Sequence, residues 1–448
     1  MAIYGAYIGF TLATALCFVS LPVRSAILLV VIGGWWLLPV ADYPPTPPSG
    51  LPWWITGIAL PSDMLLTKAW IPPLVAFGGA WLRDPNALRR WRLGAADIPM
   101  AAWCVWPVLD LSRAADPPGW IAALYLAGSW GLPWVIGRIW LRGTEGSLAL
   151  IRAVALSGLA NLPVATLEGF RPAYLYERVY GPHPFITDGV DRYIGYRPIG
   201  FLEHGNLYGL WAALAAFAAI WLARNAAATR TGRWDALAVL NSLLALASQS
   251  VGAIMLLAFG LVLLALAHTT LLKPLLAGLA ALLLAGAAIH LSGVVPMQAV
   301  ARSPAGSQAI STMRSLGRGS FLWRFSQDSK ALATLGPNLT LGTGKWDWWR
   351  ESGTRPWGQA LLLVGQYGLI GWLLAWGSMI GACVSAFNRA SRQLFVSAGD
   401  PHLALAVMIL LALADAGLNA FFFFPAILAA GSIAMAGSDK QVSRALAS

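Results

Sequence analysis

The stretch "YRPIGFLEHGNLYGLWAALAAFAAIWLA", Tyr196 to Ala223, decides how the chain is read. From Gly205 it runs without a charge until Arg224. At 1.5 Å per helical residue, a run of that length crosses most of a hydrocarbon core about 30 Å thick. Its first part carries Arg197, Glu203, His204 and Asn206. A carboxylate, an imidazole and an amide are costly at membrane depth unless they are paired or meet a water-filled cavity. The pattern predicts a span over 199–223 with Pro198 in its first turn. Arg197 then sits beside the helix N-terminus, where free N–H groups and the dipole favour an anion. Glu203, His204 and Asn206 fall one to two turns into the span.

The flanking sequence belongs to the same class. Charged residues make up 11% of the 448, against about 25% in soluble domains, and mean hydropathy is +0.65. Apolar runs recur near 5–22, 25–41, 62–82, 96–112, 118–138, 148–167, 235–249, 251–268, 275–293, 358–386, 402–416 and 418–437. These predict an all-α polytopic membrane protein with about twelve or thirteen transmembrane helices, organised as a single membrane domain over 1–448. The runs are continuous and do not alternate, which argues against a β-barrel. Cys17, Cys104 and Cys383 lie in apolar spans without CxxC spacing and read as packing residues. The first run has neither a basic leader nor a small-residue cleavage site and reads as a retained span.

The net charge of +11 would suggest nucleic acid in a soluble chain. Here the positive-inside rule and anionic lipid explain much of it, and no nucleic-acid partner is expected. "RDPNALRRWR" (Arg83 to Arg92), "RNAAATRTGRW" (Arg224 to Trp234) and "NRASRQ" (Asn388 to Gln393) are basic loops that the rule places in the cytoplasm. Alternation then puts two longer segments outside, 168–198 and a large loop over 294–357. The second has eight basic residues against three acidic. It ends in "GTGKWDWWRESGTRPWG" (Gly342 to Gly358), where four tryptophans accompany five charges. Guanidinium groups pair bidentately with phosphate oxygens, and indole faces pack against sugar rings. A basic, tryptophan-rich outer surface therefore suits a lipid-linked pyrophosphate carrying sugars. An interfacial aromatic belt bound to lipid headgroups is the competing reading.

Within that loop, Trp323-Arg324 opens a short amphipathic helix that Gly336-Pro337 ends. Arg324 and Asp328 stand four apart and suit a surface pair. Arg355 repeats the Arg-Pro arrangement of Arg197 before the next span. "ASQSVGAI" (Ala247 to Ile254) reads as a polar turn, and "DAGLNAFFFFP" (Asp415 to Pro425) as an intramembrane acid and amide. No P-loop, GxGxxG, HExxH, paired metal-ligand spacing or GxSxG is found, so nucleotide hydrolysis, zinc chemistry and serine esterase chemistry are not supported. Neither an internal repeat nor a broken helix, the usual signs of a transporter, is legible.

Taken in order, Arg197–Gly200–Phe201–His204–Asn206–Gly209, Ser248–Ser250–Gly252–Ala253, Trp323-Arg324 with Pro337, Gly342 and Gly344, "GQYGLIG" (Gly365 to Gly371) and Asn419–Pro425 resemble the O-antigen ligase and polysaccharide polymerase superfamily. The resemblance covers roughly 150–430. It implies a GT-C-like helical fold in the bacterial inner membrane with a large periplasmic loop. It also implies metal-independent transfer, without cofactor, from an undecaprenyl-pyrophosphate-linked oligosaccharide to an acceptor glycan or to lipid A core. Membrane lipids and a chain-length regulator are the further partners it suggests. The family's His-Asn pair before the "GQYGLIG" motif is replaced here by Trp357-Gly358, which tilts the expectation toward a polymerase. Arg197, Arg324 and Arg355 are the candidate pyrophosphate ligands. Glu203 and His204 are the candidate bases, followed by Asp347, and Trp346, Asp347, Trp348, Trp349 and Trp357 the candidate sugar subsite.

Overall fold

The computed structural model describes residues 2–40, 67–110, 118–183, 194–225, 233–266, 269, 271–292, 302–315, 320–345, 348–349, 356–391, 399–419 and 424–434. The calls on Trp346, Asp347 and Arg355 lie outside the described residues, as does the side chain of Arg324. The described residues are helical and contain no strand: α1 (Ala2–Ser20), α2 (Val23–Leu37), α3 (Ile71–Arg83), α4 (Pro85–Arg90), α5 (Ile98–Leu109), α6 (Gly119–Leu126), α7 (Leu132–Trp140), α8 (Gly143–Ser157), α9 (Asn161–Glu168), α10 (Tyr174–Tyr180), α11 (Gly205–Asn225), α12 (Arg233–Ala247), α13 (Val251–Ala265), α14 (Leu272–Ser292), α15 (Pro304–Ser315), α16 (Ser320–Leu335), α17 (Gln359–Ser391), α18 (Pro401–Ala416) and α19 (Phe424–Ile433). A π-turn joins α6 to α7, and a 3₁₀ turn joins α8 to α9.

Among the described residues, five helical stretches are long and apolar enough to cross a membrane: Gly119–Trp140, Gly143–Glu168, Gly205–Asn225, Pro274–Ser292 and Gln359–Asn388. Shorter apolar helices accompany them at Gly5–Ser20, Val23–Leu37, Ala95–Leu109, Val251–Ala265 and Pro401–Ala416. The chain is thus an all-helical protein of the polytopic membrane class. Helix α11 forms the axis of the bundle, with 83% of its apolar window buried, whereas the window of α14 is only 17% buried and faces outward. An alanine-rich sequence suits the central position, because small side chains let neighbouring backbones approach closely. Helices α8, α12, α13 and α18 all pack against α11.

Two features depart from the sequence reading. The first is the start of α11, which begins at Gly205 and not at Pro198. The N–H groups of Ile199 and Gly200 donate to Glu168 Oε2 at 2.9 and 2.8 Å. Gly200 takes φ +63°, a left-handed conformation that interrupts a helix. Glu203 and His204 therefore precede the helix, and Asn206 stands in its first turn.

The second departure is a break in α17. Gly368 has φ +73° and ψ +175°, which separates the helix into two pieces. The segment Asn338–Lys345 folds back against the break. Thr343 N–H donates to Gly365 O at 2.9 Å, Gly344 N–H to Gln366 O at 3.1 Å, and Ile370 N–H to Thr340 O at 3.4 Å. The Trp106 indole donates to Tyr367 O at 2.9 Å. Backbone groups freed inside a membrane domain must find partners in the protein, and this loop supplies them. The expected absence of a broken helix is thereby corrected. "GQYGLIG" carries no charge, so hydropathy alone does not separate it from an ordinary span.

Candidate functional site

The polar residues singled out in distant parts of the sequence meet at one end of the bundle. The end of α9, the turn 194–204, the start of α11, the end of α14, the start of α17 and the end of α18 gather there. The opposite end carries the Arg24–Glu145 pair at 3.0 Å and the buried Asp97–Arg138 pair at 2.7 Å. Helix α10 lies across the site end, where Tyr176 OH donates to Val40 O and Tyr180 OH to Leu37 O at 3.0 and 2.8 Å.

Arg197 lies beside the N-terminus of α11, as the sequence suggests: its side chain packs over Gly205 and is 3% exposed. Its guanidinium donates to Asn206 Oδ1. The Asn206 amide donates in turn to Asn419 Oδ1 at 3.0 Å, and the Asn419 amide donates to Asp415 Oδ1 at 2.8 Å. A cation and a carboxylate are thus joined through two amides, in an interior where hydrogen bonds in series polarise one another. The chain connects "YRPIGFLEHGN" to "DAGLN", two motifs more than 200 residues apart.

Glu203 pairs with Lys68 at 2.9 Å, and the same ammonium donates to Phe201 O at 3.1 Å. Lys68 is 3% exposed and was not singled out in the sequence, where it reads as one basic residue in an apolar run. The second oxygen of Glu203, Oε2, is buried with no hydrogen-bond partner among the described residues. His204 Nδ1 accepts the N–H of Asn206 at 3.0 Å. In the neutral ring this puts the proton on Nε2, so His204 caps α11 and offers a donor to its surroundings. Of the two candidate bases, Glu203 keeps an oxygen without a partner among the described residues, while the Nδ1 of His204 is taken by the Asn206 N–H.

A cavity of about 250 Å³ adjoins this cluster. It lies among α14, α16, α17 and α18 and is lined mainly by leucine, alanine and glycine, with His290 and Asp328 as its ionisable groups. Asp328 Oδ1 accepts the Trp357 N–H at 2.9 Å, and Oδ2 stands 3.5 Å from His290 Nε2. Asp328 is 6% exposed, and its partners among the described residues are a backbone amide and an imidazole in the interior; the pairing with Arg324 that its spacing suggested lies outside the described residues. Gly417 and Leu418, which line the cavity, directly precede Asn419, the residue through which the Arg197 cluster reaches α18.

The indoles divide. Trp348 is buried against Gly365, where no side chain would fit beneath it, so it packs the broken helix instead of lining an open subsite. Trp349 and Trp357 are half-buried, and Trp357 holds Asp328 through its backbone. Arg324 occupies α16 one turn before Asp328. Glu168, Lys68 and His290 escaped the sequence reading because each acts through a partner far along the chain. The only available signal was an ionisable residue at the edge of an apolar span.

Fold and site define a polytopic helical membrane protein with a polar cluster and an adjoining cavity at one end. In the comparisons with known proteins, no family model, curated protein or solved structure matches the chain.

Proposed function

We propose that the protein is a metal-independent glycosyltransferase of the bacterial inner membrane. It transfers an undecaprenyl-pyrophosphate-linked glycan to an acceptor hydroxyl at the periplasmic face, most simply as a polysaccharide polymerase and alternatively as an O-antigen ligase. The fold would be GT-C-like, with about twelve or thirteen spans and the site end outside. A sugar on pyrophosphate is already activated, so the protein has to stabilise negative charge on the departing diphosphate and orient the incoming hydroxyl. Arg197, Arg324 and Arg355 take the first task. Glu203 takes the second, held by Lys68, while His204 positions Asn206.

The observation that carries this reading is the buried Glu203 Oε2, which lacks a donor among the described residues and belongs to the turn that also carries the buried Arg197. An acceptor hydroxyl would supply that donor. Replacing Arg324 with Ala is expected to abolish transfer while membrane insertion and folding persist. Near-normal glycan products from that variant would contradict the assignment.

One observation favours a second reading, a transporter for the same lipid-linked oligosaccharide: the break in α17 at Gly368, a feature that transporters use at their binding sites. The carbonyls of Gly365, Gln366 and Tyr367 are occupied by Thr343, Gly344 and Trp106. They face protein donors and not a ligand, which leaves transfer as the better-supported function.

A further inference from the structure

We propose that the cavity between α14 and α17 is a binding site for an amphipathic lipid alcohol, whose hydrocarbon chain fills the apolar part and whose hydroxyl bridges His290 and Asp328. This goes beyond the transfer reaction and does not depend on it.

The walls limit what can bind. At about 250 Å³ the cavity lies below the range of about 300–1,000 Å³ typical of drug-sized sites, so it suits a chain end and not an oligosaccharide. Leu283, Leu291, Leu361 and Leu418 form much of the surface. A sugar would leave several hydroxyls against these side chains without partners, at roughly 1–3 kcal/mol each. The cavity is open toward the bilayer: Leu282 lines it and is also 66% exposed, on the helix with the least buried apolar window of the five long spans. A hydrocarbon chain can therefore enter sideways.

The polar end selects the headgroup. Asp328 is fixed by the Trp357 N–H, and its other oxygen stands 3.5 Å from His290 Nε2. That separation is long for a direct hydrogen bond. A hydroxyl between the two can donate to the carboxylate and accept from the ring. A fatty acid or a lipid phosphate would bring a second negative charge against a buried carboxylate, which is unfavourable. An ether or a plain hydrocarbon offers Asp328 no donor.

The test is photocrosslinking of the full-length protein in lipid nanodiscs with a diazirine-bearing hexadecanol, its methyl ether and the matching palmitic acid. The alcohol is expected to label α14 and α17 near the cavity about fivefold more than the ether or the acid, the scale of one net hydrogen bond. Gly286 lines the cavity, and an added side-chain atom there meets nothing within 4 Å. Gly286→Phe should therefore fill the space and lower labelling about tenfold. Gly278→Phe, equally open but outside the cavity, should leave labelling unchanged. Asp328→Asn should reduce the preference for alcohol over ether, a ratio taken within one protein that stays informative if Gly286→Phe does not insert. Equal labelling by all three probes, an undiminished signal in Gly286→Phe, or an unchanged preference in Asp328→Asn would overturn the proposal. Loss of glycan transfer in any variant would bear on the function above and not on this site.

Discussion

One oxygen of the Glu168 carboxylate accepts the N–H groups of both Ile199 and Gly200, at 2.9 and 2.8 Å, and so sets where the central helix begins. Glu168 is fully buried at the end of α9. The turn it holds carries Arg197 toward Gly205 and Glu203 toward Lys68. Both bonds go to a single oxygen, so an amide can replace the acid. Glu168→Gln is expected to keep most of the stability. Glu168→Ala leaves two buried donors unpaired and should cost about 2–4 kcal/mol. Thermal unfolding of the purified protein in detergent measures the difference. Equal loss in both variants would mean that the charge, not the acceptor, holds the turn.

Gly368 lets α17 break and the segment Asn338–Lys345 dock. Its φ of +73° disfavours any other residue, and an added Cβ would meet Thr340 O at 2.1 Å. Gly368→Ala should destabilise the protein by about 3 kcal/mol or more, combining backbone strain with a clash. It should also speed proteolytic cleavage within the segment. A variant as stable and as protected as the parent would show that the break is not needed for docking.

His183 gives a dependence on pH. It lies outside the spans, 6% exposed, with its Nε2 at 3.0 Å from Leu202 O. Burial lowers its pKa from 6.5 to about 4, the Lys68 charge acts in the same direction, and the Leu202 carbonyl opposes them. The folded state thus binds its proton later than the unfolded chain. The stabilisation from neutral His183 is complete above pH 6.5, declines as pH falls below that value, and is gone near pH 4. Its size is at most about 3 kcal/mol. His183→Gln should flatten this part of the stability profile measured between pH 7 and pH 4. An unchanged slope would assign it to other groups.

The sequence shows the helices better than it shows their joints. Apolar runs such as 275–293 and 402–416 correspond to α14 and α18 with small shifts, because continuous hydrophobicity is a local property. The start of α11 was displaced from Pro198 to Gly205 because Glu168, some thirty positions earlier, captures the amides that a helix would use. The break at Gly368 depends on donors from Thr343 and Gly344, which hydropathy does not register. The motifs around Arg197 and Asn419 were each visible, and their junction through Asn206 was not. Lys68 and His290 gain significance only from Glu203 and Asp328, which folding brings beside them.

The central claim, transfer of a glycan from a polyprenyl pyrophosphate, is tested most directly with purified protein. The protein is incubated with undecaprenyl-pyrophosphate oligosaccharide, with lipid A core present or absent and without nucleotide sugar. Lengthened glycan on the lipid carrier is the predicted result, and glycan on lipid A core would specify the ligase form. Donor recovered chemically unchanged in every condition, including after movement between leaflets of a vesicle, would contradict the account.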